Sequence, residues 1–92
     1  MGDNTLNDFR HIHRKRFGQH WLKDQCVLDQ IVKAAELNSE DCVLEVGPGK
    51  GALTEKLIES QAKFIQAIEL DRDLIVGLKN RFSDKSKFNL RE

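Results

Sequence analysis

The run Gly47-Pro48-Gly49-Lys50-Gly51 is the feature that most restricts what this chain can become. Ahead of it lies Cys42-Val43-Leu44-Glu45-Val46, a short, β-rich and nearly unbroken apolar stretch. Such a stretch is expected for a strand buried on both faces. Behind it, Leu53, Leu57 and Ile58 place one apolar stripe on a helix of about residues 51–61. A strand that ends in glycines and turns straight into a helix is the opening of a βαβ unit. Glycine supplies positive φ there and lets a ligand lie directly on backbone. The helix start adds unpaired N–H groups and a positive dipole end, which favour a carboxylate or a phosphate.

The flanking patterns extend this unit. Asp24 can cap a helix over residues 25–37, striped by Val27, Leu28, Ile31, Val32 and Ala35. Asn38-Ser39-Glu40-Asp41 reads as a turn. Residues 63–70 read as a second strand, with Phe64, Ile65, Ala67, Ile68 and Leu70 as its apolar members. Asp71 can cap a third helix with the stripe Leu74, Ile75, Leu78 and Phe82, and residues 87–92 begin a third strand after a polar turn. Alternating strands and helices indicate a parallel sheet with right-handed crossovers. The expected fold class is therefore α/β, the N-terminal half of a Rossmann-like sheet, with ligands at the carboxyl ends of its strands.

Size and charge narrow the functions. A chain of 92 residues supports one domain at most. No apolar run approaches the roughly 18–20 residues of a membrane span, and no secretory leader is visible, so a cytoplasmic location is expected. The 15 basic and 15 acidic residues balance, but unevenly along the chain. Residues 1–24 carry five bases against three acids, and the rest carries ten against twelve. Between Arg10 and Lys23 there is no acid, and Arg14, Lys15 and Arg16 concentrate the charge. Such a patch suits a phosphate backbone, and equally a solvated tail. Residues 1–13 are expected to be a loose polar tail, and residues 14–92 the folded part. Cys26 and Cys42 lack zinc-site spacing and are expected to be buried, reduced, structural thiols. His11-x-His13 has no acidic or thiol partner nearby, so no metal site is expected.

Three chemistries compete for the glycine loop. A P-loop fails, because G-x-x-x-x-G-K-[ST] does not occur. A dinucleotide fingerprint is formally met by Gly47-x-Gly49-x-x-Ala52, with Glu69 placed about 20 residues on as a ribose-binding acid. A loop for S-adenosyl-L-methionine has the form E-x-G-x-G-x-G, matched by Glu45, Gly47, Gly49 and Gly51. Glu69, at the tip of the second strand, can accept from both ribose hydroxyls in either of the last two readings. Pattern alone favours the methyl donor and leaves the dinucleotide open.

Three segments carry a resemblance. Lys15-Arg16-Phe17-Gly18-Gln19-His20-Trp21-Leu22 resembles the R-x-x-Q-N-F-L segment before the first helix of the KsgA and Erm ribosomal-RNA adenine N6-dimethyltransferases. Residues 45–54, E-V-G-P-G-K-G-A-L-T, resemble their donor loop, and residues 69–74, E-L-D-R-D-L, resemble the run after their second strand. The last two look more like the KsgA branch. The resemblance implies methyl transfer from S-adenosyl-L-methionine to two adjacent adenosines near the 3′ end of small-subunit rRNA, within an immature small ribosomal subunit. It further implies that His20 and Leu22 lie at the methionyl end of the donor, that Gly47 and Gly49 face it, and that Glu69 holds its ribose.

Three departures stand against the family pattern. His20 occupies the place of the usual Asn, and a neutral imidazole still donates one hydrogen bond and accepts another. Trp21 replaces Phe and keeps an aromatic anchor. The family's N-[LI]-P-[YF] run, which holds the target base, does not occur; the one proline is Pro48. The expectation is a fragment that carries the first half of the donor site and is inactive alone. An unpaired edge at the third strand makes dimerisation through that edge a further expectation. A non-catalytic RNA-binding module and a nicotinamide-dinucleotide domain are the alternatives.

Overall fold

A computed structural model describes residues 24–92. The tail over residues 1–13, the basic residues Arg14, Lys15 and Arg16, and the expected donor contacts His20 and Leu22 lie outside the described residues. The element order is α1 (Gln25–Ala35), β1 (Cys42–Val46), α2 (Ala52–Glu59), β2 (Phe64–Ile68), α3 (Arg72–Arg81) and β3 (Phe88–Arg91). The three strands pair in parallel in the order β1-β2-β3. This is the α/β arrangement that the sequence pattern predicts.

Local chemistry sets the helix ends. The Asp24 carboxylate accepts from the Cys26 and Val27 N–H groups, and that of Asp71 accepts from Asp73 and Leu74. Each therefore satisfies two backbone donors that have no partner within the helix. The first helix stops two residues short of the expected 37. Glu36 turns into the left-handed region at φ 50°, and its N–H bonds the Lys33 carbonyl. That turn brings Leu37 against the core. The following turn is held by Asn38 and Asp41, which exchange side-chain-to-backbone bonds with Glu40 and Asn38 at 2.8 Å.

The core lies between the helices and one face of the sheet. Leu28 and Ile31 of α1, Leu53 and Leu57 of α2, Val43 of β1 and Ile65 of β2 form it, with Ala62. Phe82 of the α3 C-cap packs on Phe88 of β3, ring centroids 5.1 Å apart. A monotonic strand order with right-handed crossovers brings both connecting helices to the same face. The burial pattern agrees: Val43, Glu45, Ile65 and Ala67 are buried, while Leu44 is 48 % and Val46 37 % exposed.

Two expectations are corrected here. β1 is not buried on both faces, because no described helix lies over Cys42, Leu44 and Val46. Cys26 and Cys42 are unbridged, as expected, but both are exposed. Cys26 lies on the outer side of α1, and Cys42 shares the uncovered face of β1. Among the described residues, β3 ends the sheet on one side and β1 on the other.

Candidate functional site

Parallel pairing brings the glycine loop and Glu69 to the same end of the sheet. Val46 lies opposite Ile68 in register, and the Gly47 N–H donates to the Ile68 carbonyl at 2.9 Å. The ladder thus continues into the loop, while Glu69 extends β2 by donating its N–H to the Arg91 carbonyl. Both features leave the carboxyl ends of adjacent strands, where ligands of open α/β sheets bind.

Glu69 is 8 % exposed and joins three segments. Its Oε1 accepts from the Gly49 N–H at 3.3 Å, and its Oε2 accepts from the Leu70 and Asp71 N–H groups at 3.0 and 3.1 Å. A carboxylate offers about four lone-pair directions. Three N–H groups leave room for a hydroxyl donor, so Glu69 can both brace the loop and accept from a ribose. Next to it, Leu70 is 84 % exposed, an apolar side chain at the rim of the site.

The loop glycines differ in what surrounds them. Gly47, Gly49 and Gly51 have φ of 71°, 62° and 94°, which disfavours any residue with a Cβ. A Cβ at Gly47 or Gly49 would meet nothing within 4 Å. A Cβ at Gly51 would lie 2.8 Å from Phe82 Cε2 and 3.1 Å from Leu78 Cδ2. The first two glycines therefore face open space, and the third allows α3 to pack close behind the loop. Gly51 is also the N-cap of α2 and supplies no side chain to its first-turn N–H groups. Those donors and the positive dipole end are suited to an anionic ligand group.

Glu45 has a different task from Glu69. It points to the helix side of β1 and is 4 % exposed. Thr54 of α2 donates its hydroxyl to Glu45 Oε1 at 2.5 Å, which ties the strand to the first helix turn beyond the loop. Burial pushes the Glu45 carboxyl up to about 7, with Thr54 pulling against it and the Glu69 charge adding to the push. Thr54 was not singled out from sequence. The available signal was a hydroxyl beside Leu53 on the buried stripe, nine residues after an acid in a buried strand.

The site thus brings Gly47, Gly49 and Glu69 together as the sequence pattern expects. Its pieces fit the methyl donor. The space over Gly47 and Gly49 admits a ligand against backbone, the uncapped α2 start suits a carboxylate, and Glu69 suits a diol. Among the described residues, no group of three or more His, Cys, Asp or Glu could hold a metal ion. Among the same residues, no helix is long and apolar enough to cross a membrane.

Comparisons with known proteins place the chain in a family. The model of the family "Ribosomal RNA adenine dimethylase" matches residues 10–91. Ribosomal RNA small subunit methyltransferase A of Prochlorococcus marinus (strain NATL2A) is 89 % identical over 91 residues, 99 % of this chain and 31 % of that protein. The chain therefore spans about a third of the length of such relatives. A dimethyladenosine transferase from Plasmodium falciparum superposes with TM-score 0.65 and 37 % identity, over 72 % of this chain and 24 % of that one. The 23S rRNA methyltransferase ErmE does so with TM-score 0.68 and 31 % identity, over 74 % and 28 %. With the family model matching residues 10–91 and such identity over nearly its whole length, this chain belongs to the ribosomal RNA adenine dimethylase family.

Proposed function

We propose that this chain carries the donor-binding part of an rRNA adenine N6,N6-dimethyltransferase that works in ribosome biogenesis. In this reading it binds S-adenosyl-L-methionine, whose methyl groups go to two adjacent adenosines near the 3′ end of small-subunit rRNA. The observation that carries the reading is the Glu69 carboxylate bonded to the Gly49 N–H, beside open space over Gly47 and Gly49. The donor's methionyl carboxylate meets the first-turn N–H groups of α2, its ribose hydroxyls meet Glu69, and the exposed Leu70 offers apolar surface to its base. The donor itself supplies the electrophilic methyl group. The family segment implies that His20 and Leu22 serve the methionyl end of the donor. Arg14, Lys15 and Arg16 neutralise phosphates of the RNA, which makes binding salt-dependent.

The partner in this reading is the immature small ribosomal subunit, in the cytoplasm. The 92-residue chain alone binds donor without turning over, because its sequence has no N-[LI]-P-[YF] run to hold a flipped adenine. Its strand edges, unpaired among the described residues, make self-association through the sheet the expected state in isolation. Light scattering after size exclusion checks this; a clean monomer would count against it.

The central test is calorimetric titration of the chain with S-adenosyl-L-methionine. Measurable binding that falls at least about tenfold in Glu69→Ala is expected. Binding that persists unchanged in that variant would overturn the assignment. Methyl incorporation into immature small subunits, measured with a protein of the relatives' length, tests the reaction, and turnover by the 92-residue chain would refute its inactivity.

A further inference from the structure

Arg81 belongs to none of the motifs, yet its guanidinium reaches from the last turn of α3 to the glycine loop. Nη1 donates to the Lys50 carbonyl at 2.7 Å, and Nη2 pairs with Glu55 Oε1 of α2 at 3.0 Å. The guanidinium carbon also lies 5.1 Å from the centroid of the Phe82 ring, the ring that occupies the space behind Gly51. The Lys50 carbonyl and the Gly51 N–H are the two ends of one peptide unit, and planarity makes them turn together. Arg81 holds the carbonyl end, and the Pro48 carbonyl accepts the N–H end at 3.0 Å. This peptide is therefore fixed at both ends, immediately before the N-cap of α2.

We infer that Arg81 is a positioning residue for the donor loop, holding the Lys50–Gly51 peptide from behind so that the front of the loop and the first turn of α2 stay turned to the ligand. A peptide flip would swing the Lys50 carbonyl dipole round and replace a donor-lined surface with an acceptor, unfavourable for a carboxylate. A charge-assisted bond to the carbonyl is among the stronger hydrogen bonds available at a surface. The bond spans residues 31 apart in sequence, so it couples α3 to a loop it follows only distantly. The inference rests on the reading that this loop holds S-adenosyl-L-methionine.

The test uses the 92-residue chain and its variants Arg81→Ala, Arg81→Lys and Lys79→Ala. S-adenosylhomocysteine is titrated into each, and the Gly49 and Gly51 amides are followed by NMR without ligand. Arg81→Ala is expected to raise Kd about tenfold, and Arg81→Lys, which keeps a cationic donor but not the fork, about threefold. Lys79→Ala, on the same helix as Arg81, removes an exposed ion pair to Glu92 beyond β3 and leaves Kd unchanged. Equal losses in Lys79→Ala and Arg81→Ala, or an unchanged Kd in Arg81→Ala, would overturn the inference. If the parent chain itself binds no S-adenosylhomocysteine, the donor reading fails separately. The amides then decide: faster hydrogen exchange at Gly51 in Arg81→Ala supports the positioning role, and unchanged exchange refutes it.

Discussion

Gly49 and Gly51 belong to one loop and share a positive φ, yet a methyl group added to each would meet opposite surroundings. At Gly49 it would stand in open space on the front of the loop, beside the Glu69 carboxylate. At Gly51 it would collide with Phe82 and Leu78 behind the loop. The front is open, where the proposed ligand lies, and the back is closed by tertiary packing. Alternating glycines that look equivalent in sequence therefore answer to different forces. Affinity should report on the front and stability on the back.

The largest expected effect breaks the back. Gly51→Ala combines a strained φ with overpacking against Phe82 and should cost about 3 kcal/mol. In a domain of this size that is a large share of the roughly 5 kcal/mol available. Urea unfolding would measure it, and a Phe82→Leu companion change should recover part of the loss. Unaltered stability in Gly51→Ala would erase the distinction between the two sides.

Next comes Glu45, beneath the loop. Burial raises its folded pKa to about 7, above the ordinary carboxyl value of 4.5. Between these values the folded chain keeps a proton that the unfolded chain has released. The contribution to stability is thus fully present below about pH 4.5 and is lost as pH rises through 7. Glu45→Gln removes this dependence and should be more stable than the parent at pH 8 by about 2 kcal/mol. Melting curves across that pH range would show parallel profiles if burial of the carboxyl is not the cause.

Gly49→Ala sharpens the comparison from the other side. Only backbone strain opposes it, about 1 kcal/mol. Donor affinity should nevertheless fall about tenfold, because the added methyl occupies ligand space. Titration and urea unfolding of the same sample separate the two effects, and a large stability loss without an affinity loss would reverse the assignment of front and back. The smallest effect is expected at Asp29→Ala, which removes the ion pair to Lys56 between α1 and α2 at 2.9 Å. Both partners reach solvent, so the unfolding midpoint should not measurably change.

Much of this was legible because it is local. Asp24 and Asp71 announce their helices through capping chemistry that needs only the next three residues. The glycine loop and Glu69 announce the site through their places at strand ends. The exposure of Cys42, Leu44 and Val46 is not legible in the sequence, since an unbroken apolar run carries no information about which helices cover each face. The exposure of Cys26 is hidden for a related reason: an apolar helical neighbourhood does not say on which side of the stripe a small residue falls.

By itself the sequence determined the order of elements, the caps, the positive-φ positions and the acid at the second strand's end, because each depends on spacing within a few residues or on the period of a strand or helix. Tertiary structure alone decided that Gly51 is a packing glycine, that Thr54 secures Glu45, and that Arg81 fixes the Lys50 peptide. These contacts join residues brought together only when α3 and the sheet close around the loop, and no periodicity in the chain encodes that meeting.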